Sequence, residues 1–447
     1  MTAPTDAARW PDAPRPATDH VLTPGYYQLT LIAAALAGCA ELHLRAGAGL
    51  PSVSVLELVV APAFLSLVVE ILSRRRLRAQ VAALYHRNRA LAGYGAYAAV
   101  ASFVGLVRTT DTVQSFHDLF VALALYALVG LTVDDLGRLR GLLAAALVGV
   151  AINVALAVLQ VGAGGPYPIS LSENIDAKLD LAGELARSLP TGLFNHPNGL
   201  AMFLLPVVVF LVVGSWAGFQ AAPRRAAWIA AVLVPTLFVL RLTYAKGVYA
   251  WLAAGAVFLV LPRWFDRHRV WLAVAAVVGG ITALTWLSID AFLSGELVFA
   301  TIVSRIELWL ATLHILRSDS FVAVFGSGGM QLIRQPLVTF EYTNTHNAWL
   351  DQALTYGIPA LVFYLGAYLT ALRSLARQIR SERPPIRTVA LASFASLVGI
   401  LGESFFEPTN HSLALQVELF LVLGIAAALP ACRPYAERAG SASSSPR

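Results

Sequence analysis

The chain has 447 residues, 57% of them hydrophobic and only 13% charged, about half the charged share of a soluble domain. With a mean hydropathy of +0.68, too little polar surface remains to solvate a globule of this size, which excludes a soluble enzyme and a disordered chain. The two cysteines, Cys39 and Cys432, exclude a disulfide framework and a thiolate metal site. The net charge of +6 comes largely from short Arg clusters between apolar runs, which is how topology signals look and not how a nucleic-acid-binding domain looks.

Residues 1–24 are rich in Pro, Ala and Asp, lack the apolar core of a signal peptide, and read as a disordered cytoplasmic tail. Apolar stretches follow at 26–44, 53–72, 90–107, 119–133, 141–161, 198–214, 227–243, 247–262, 270–289, 347–371, 388–403 and 413–430. Most approach the ~20 residues a bilayer requires. The expectation is an all-α polytopic membrane protein of about twelve transmembrane helices, with one transmembrane domain over 25–431 and a second cytoplasmic tail at 432–447.

The connections alternate in character. Arg74, Arg75, Arg76, Arg78, Arg87 and Arg89 crowd the second, Arg138 and Arg140 the fourth, Arg224 and Arg225 the sixth. Arg263, Arg267 and Arg269 mark the eighth, and Arg373, Arg377, Arg380, Arg383 and Arg387 the tenth. Short basic loops face the cytoplasm, so both termini are expected there. The odd-numbered loops then face outward, and two, 162–197 and 290–346, are long enough to carry function. In the second, Ile302, Ile306, Trp309, Leu310 and Leu313 recur at helical spacing, which predicts an interfacial helix.

No HExxH, Cys/His cluster, EF-hand loop or phosphate-binding P-loop occurs, so no motif supports a metal or nucleotide site. Asp134 and Asp135 read as a helix-end charge set beside Arg138. Gly326-Ser327-Gly328-Gly329 reads as a flexible turn. The remaining polar residues gather on the side expected to face outward. His346 and Asn347 sit at the mouth of the tenth stretch, where an imidazole meets water and an acceptor hydroxyl and exchanges protons near neutral pH. Anchoring at the interface is the competing role. On a continuous helix Gly357 falls on the face of His346, about 16 Å deeper, with Pro359 as a kink.

Thr191-Gly192-Leu193-Phe194-Asn195-His196-Pro197-Asn198 opens the sixth stretch. Pro197 suits a first helical turn with His196 or Asn195 as cap, and the helix N-terminus around His196 and Asn198 suits a phosphate. Arg241 and Lys246 flank a tight connection at the membrane edge, where a cation needs a partner such as a lipid-linked diphosphate or snorkels to headgroups. Arg187 and Arg305 in the long loops are further cations, and Arg305 precedes Trp309 by one helical turn. Glu403, Glu407 and His411 cluster between the last two stretches, suited to acceptor sugar hydroxyls, to pairing with the arginines, or simply to solvation.

Together these segments resemble the O-antigen ligase/O-antigen polymerase superfamily of bacterial membrane glycosyltransferases. The ligase pattern is His followed by Asn, Ser or Gln, nine residues, Gly, two residues, then Gly, Thr or Tyr. His346-Asn347, Gly357 and Ala360 stand in those places, Ala360 departing by a small-for-small change. Phe194-Asn195-His196-Pro197-Asn198 is similar to the family's approach to the span after its first long outer loop. Ala245-Lys246-Gly247 stands where many members carry Ser-Arg-Gly, and lysine keeps the charge without the bidentate fork.

The resemblance implies transfer of a glycan from an undecaprenyl-diphosphate carrier to lipid A-core or a growing polysaccharide. The reaction would run at the periplasmic face of the inner membrane, with inversion and with no metal, nucleotide or other cofactor. It implies His346 as base or orienting group, and Lys246, Arg305 and Arg241 or Arg187 around the diphosphate, with His196, Asn198 and Asn347 as further donor-side groups. Glu403, Glu407 and His411 would lie on the acceptor side. A transporter or lipid-linked glycan flippase is the alternative. Against it stand the concentration of polar residues on one side and the unlike halves of the chain.

Overall fold

The computed structural model describes residues 22, 24–40, 43–44, 53–106, 111–164, 189–194, 196–221, 223–243, 245, 300–327, 344–380, 384–405, 407 and 412–432. The described residues are mostly helical. They form α1 (Pro24–Leu36), α2 (Glu57–Ser73), α3 (Arg75–Arg87), α4 (Arg89–Gly105), α5 (Asp111–Thr132), α6 (Leu136–Gly162), α7 (Pro197–Ala221) and α8 (Pro223–Leu242). The second half holds α9 (Ala300–Ser318), α10 (Ser320–Phe325), α11 (Ala348–Tyr356), α12 (Ile358–Ile379), α13 (Pro384–Glu403) and α14 (Leu413–Ala428). A two-residue hairpin, β1 (His43–Leu44) against β2 (Val53–Ser54), joins α1 to α2 in antiparallel register.

Local chemistry sets several helix starts. Asn88 Oδ1 accepts the Leu91 N–H at 3.1 Å to cap α4, and Asp135 Oδ1 accepts the Arg138 N–H at 2.8 Å to cap α6. The pair Asp134–Asp135 is thus the helix-end charge set expected, with Arg138 Nη1 at 3.2 Å from Asp134. Arg87 donates to the Ala427 carbonyl at 2.8 Å, a cation on the carbonyl end of α14. The segment read as the second loop is not irregular. It is α3, with Leu77 and Leu84 turned inward seven residues apart and its arginines outward.

Five helical segments among the described residues are long and apolar enough to cross a membrane: Ser115–Thr132, Leu136–Gly162, Ile358–Ile379, Pro385–Glu403 and Leu413–Cys432. The exposed faces of the bundle are apolar too. On α2, Val60, Ala63 and Leu67 are buried while Leu58, Leu65, Val69 and Leu72 are more than half exposed, and α6 likewise leaves Val148, Ile152 and Leu159 exposed. Exposed apolar stripes on this scale mark a lipid-facing belt. The stretches at 247–262 and 270–289, like both termini, lie outside the described residues.

Inside the belt, α14 packs along α5, α13 along α7, α12 along α4, and α1 along α6. The last contact is backbone-close. A Cβ on Gly149 of α6 would collide with the Ala35 carbonyl of α1 and crowd Gly38 just beyond that helix, so small residues set the spacing of α1 and α6.

One expectation is corrected. No single helix runs through 347–371: Gly357, at φ 90°, ends α11 and begins α12, and Pro359 occupies the first turn of α12 instead of kinking an interior. The break is held by packing. The chain just after α10 meets the end of α11, with the Ser327 N–H donating to the Leu354 carbonyl at 2.8 Å. A Cβ on Gly357 would collide with the Val324 carbonyl, and one on Gly326 (φ 72°) with the Thr355 carbonyl. The predicted facing of Gly357 and His346 therefore does not apply.

Candidate functional site

Three segments distant in sequence deliver polar side chains to one carboxylate. Glu407 follows the end of α13, its N–H donating to the Glu403 carbonyl at 3.0 Å. The Arg305 guanidinium, from α9, donates through Nη2 to Glu407 Oε1 at 2.7 Å. Asn198, in the first turn of α7, donates through Nδ2 to the same oxygen at 2.9 Å. His346, just before α11, places Nδ1 at 3.5 Å from Oε2, the outer limit of a hydrogen bond.

Glu407 lies outside the membrane-spanning segments and is 8% exposed. Its burial disfavours the charged form. Arg305, the hydrogen bond and charge of His346, and the charge of His196 outweigh that and hold the carboxyl down to about 2. The carboxylate stays ionised at the centre of the cluster.

The backbone around His346 is fixed on both sides. Trp309 of α9 donates Nε1–H to the Thr345 carbonyl at 3.0 Å, and the Thr345 N–H donates to Asp351 Oδ1 at 2.8 Å. Asn347 is 4% exposed and caps α11, its Oδ1 accepting the Trp349 and Leu350 N–H groups, each at 3.0 Å. The Ala348 N–H donates to the Ser404 carbonyl at 2.7 Å, so the turn that carries Glu407 is tied directly to the helix that follows His346. His346 itself adopts φ 49°, a left-handed conformation uncommon for a non-glycine residue, and its N–H donates to Asn344 Oδ1 at 3.1 Å. Over-determined strain of this kind concentrates at functional positions. Beneath lies an aromatic cluster in which Trp349 contacts Tyr364, Tyr368 and Phe405 at ring separations of 5.7, 5.6 and 5.5 Å.

The approach to α7 is held from within the bundle. Gln160 Oε1 accepts the Thr191 and Gly192 N–H groups at 2.9 and 2.8 Å, and Asn153 Oδ1 accepts the Leu193 N–H at 3.1 Å. His196 then caps α7, its Nδ1 accepting the Asn198 N–H at 3.1 Å. Pro197 opens the helix as expected, and of the two candidate caps His196 is the one seen in this role; Asn195 lies outside the described residues.

The structure thus brings together Arg305, His346, Asn198 and Glu407, with His196 close enough to act on Glu407 through its charge. Of the roles open to Glu407, it shows the pairing with an arginine. Arg241 stands exposed in the last turn of α8. Glu403 is the last residue of α13 and is buried rather than solvated, its Oε2 without a hydrogen-bond partner. It shares a small cavity with Met202, Leu205, Ile400, Leu415 and Glu418. Lys246, Arg187 and His411 lie outside the described residues.

On α9, Leu308, Ala311 and Ile315 pack with Val322 and Leu354, while Leu310 and Leu313 are exposed. The predicted helix is there, with its packed face set by residues other than the stripe read from sequence. Asn153 and Gln160 are the residues that sequence reasoning missed; their one signal was an amide inside an apolar run.

Chemically, the arrangement offers a guanidinium with one of its five N–H donors committed to Glu407, and an imidazole whose Nδ1 faces a carboxylate. Such a contact fixes the orientation of the imidazole ring. No family model matches the chain, and no curated protein matches it.

Proposed function

We propose that the protein is a membrane glycosyltransferase of the O-antigen ligase/polymerase type. It moves a glycan from an undecaprenyl-diphosphate carrier to an acceptor hydroxyl, on lipid A-core or a growing polysaccharide, at the periplasmic face of the bacterial inner membrane. About twelve spans with both termini in the cytoplasm fit the alternation of basic connections. The observation that carries the reading is the shared carboxylate: Arg305 and His346 meet opposite oxygens of Glu407.

The chemistry follows from those groups. A diphosphate is already a competent leaving group, so the protein supplies cations for the charge that develops on it and a base for the acceptor hydroxyl. His346, set against Glu407 through Nδ1, is the group proposed to accept the hydroxyl proton. The acceptor oxygen then attacks the anomeric carbon as the bond to the diphosphate breaks, and the configuration inverts. The uncommitted donors of Arg305 hold phosphate oxygens, and Lys246, Arg241 and Arg187 are the further cations proposed for the donor. Asn347 acts by fixing the backbone that carries His346. Asn198 and His196 bound the donor side at the start of α7, and Glu403, Glu407 and His411 the acceptor side.

Purified full-length protein in proteoliposomes, given an undecaprenyl-diphosphate-linked glycan and defined acceptors, tests the reading. Glycan covalently joined to acceptor, with release of carrier diphosphate, supports it. Movement of intact lipid-linked glycan between leaflets without transfer would establish a flippase instead.

A further inference from the structure

Away from the residues gathered on Glu407, the N-terminal turns of α2 and α5 bring three ligand-bearing side chains together. Glu57 opens α2, and His117 and Asp118 lie in the second turn of α5. His117 faces a carboxylate with each ring nitrogen: Nδ1 is 3.2 Å from Asp118 Oδ1, and Nε2 is 3.7 Å from Glu57 Oε2. One ligand atom from each of the three residues lies within 4.8 Å of the other two. The Glu57 side chain is 7% exposed, whereas the His117 side chain is 48% exposed, so a buried anionic ligand is joined to solvent through the imidazole.

The 3.7 Å separation is longer than a hydrogen bond. Two ligands sharing a tetrahedral zinc ion at 2.0–2.1 Å lie about 3.4 Å apart, a spacing that His117 Nε2 and Glu57 Oε2 reach with an adjustment of a few tenths of an ångström, while a ligand atom of Asp118 lies within 4.8 Å of both. One imidazole and two carboxylates, with no thiolate, form a donor set for a divalent first-row ion of the zinc type.

We propose that Glu57, His117 and Asp118 bind one zinc-type divalent cation, with water completing the shell, and that the ion clips the start of α2 to the start of α5. The ligands are 60 and 61 residues apart (117 − 57 and 118 − 57), so the ion closes a long loop of chain. Because α11 also packs on α5, the clip steadies a helix that α11 rests against. The site is structural, and it stands or falls independently of the transferase reading.

The test uses the full-length protein in detergent, stripped with a chelator and titrated with zinc alone by calorimetry, with retained metal counted by mass spectrometry. Wild type is expected to bind one equivalent and to gain several degrees in its unfolding midpoint. Glu57→Gln and His117→Ala should bind at least about 100-fold more weakly and Asp118→Asn about 10–100-fold more weakly. His314→Ala, on exposed α9 surface, should bind as wild type. A readout on wild type alone guards against misfolded variants: zinc should protect His117 from carbethoxylation, read by peptide mass. Absence of zinc binding by wild type, unchanged affinity in folded Glu57→Gln and His117→Ala, or a His117 equally reactive with and without zinc would each overturn the proposal.

Discussion

Arg305 and Glu407, 102 residues apart in the chain, meet at 2.7 Å through Nη2 and Oε1, in a setting where the side chains are 21% and 10% exposed. The contact joins α9 to the turn after α13, and the opposite carboxylate oxygen faces His346. Removing either partner leaves a charge in a half-dry site, so each single change costs more than the pair is worth. We expect Arg305→Met and Glu407→Gln each to lower stability by about 1–3 kcal/mol, and the double variant to lose less than their sum by about 1–2 kcal/mol. Unfolding in detergent, analysed as a double-mutant cycle, measures that coupling. Additive losses would mean the two groups do not interact.

The same carboxylate sets a pH dependence. Its folded-state value of about 2 lies below the ordinary 4.5, so the unfolded chain takes up a proton before the folded one does. Glu407 therefore contributes its full stabilisation above pH 4.5, and that contribution is lost as pH falls toward 2. The gap in unfolding midpoint between wild type and Glu407→Gln should narrow as pH falls below about 4.5, measured against its value at pH 5. A gap that stayed constant down to pH 3 would contradict the assignment.

Asn347 tests whether the backbone at His346 is held by capping. Its Oδ1 closes two N–H groups of α11, so Asn347→Ala should cost about 1 kcal/mol and Asn347→Asp much less. Calorimetric or chemical unfolding of both variants checks the order. Equal losses would show that the amide acts through its Nδ2 and not as a cap.

Glycines separate strained from unstrained backbone. Gly357→Ala meets the Val324 carbonyl at positive φ, so a loss of at least about 2 kcal/mol and reduced yield of folded protein are expected. Gly162→Ala, with open space around its Cβ, should be neutral or stabilising by up to about 1 kcal/mol. The comparison of unfolding midpoints would contradict the α10–α11 packing if both substitutions were silent.

These positions also show what a linear reading reaches. Caps and apolar runs are local, so the starts of α6 and α7 and several crossing segments were legible from Asp135, Pro197 and their neighbours. The break at Gly357 was not, because it depends on α10 lying against α11, a contact between segments about thirty residues apart. The basic stretch at 75–87 looks like a loop in sequence because its inward face consists of little more than Leu77 and Leu84. At the site, His346 and Asn198 were legible as polar residues at helix mouths, and Arg305 as a cation in a long loop. That Glu407 unites them was not, since a carboxylate between two spans looks the same in sequence whether it is solvated or buried against a guanidinium. Asn153 and Gln160 escaped notice for the converse reason: hydropathy averages over an amide, whereas the backbone N–H groups it satisfies lie in another segment.

Single-turnover transfer from undecaprenyl-diphosphate-linked glycan by wild type and His346→Ala, reconstituted at equal protein content and equal unfolding midpoint, tests the central claim most directly. Loss of a positioned base predicts a rate lower by about 10²–10⁴-fold with donor binding retained. Transfer at the wild-type rate by folded His346→Ala would contradict the account.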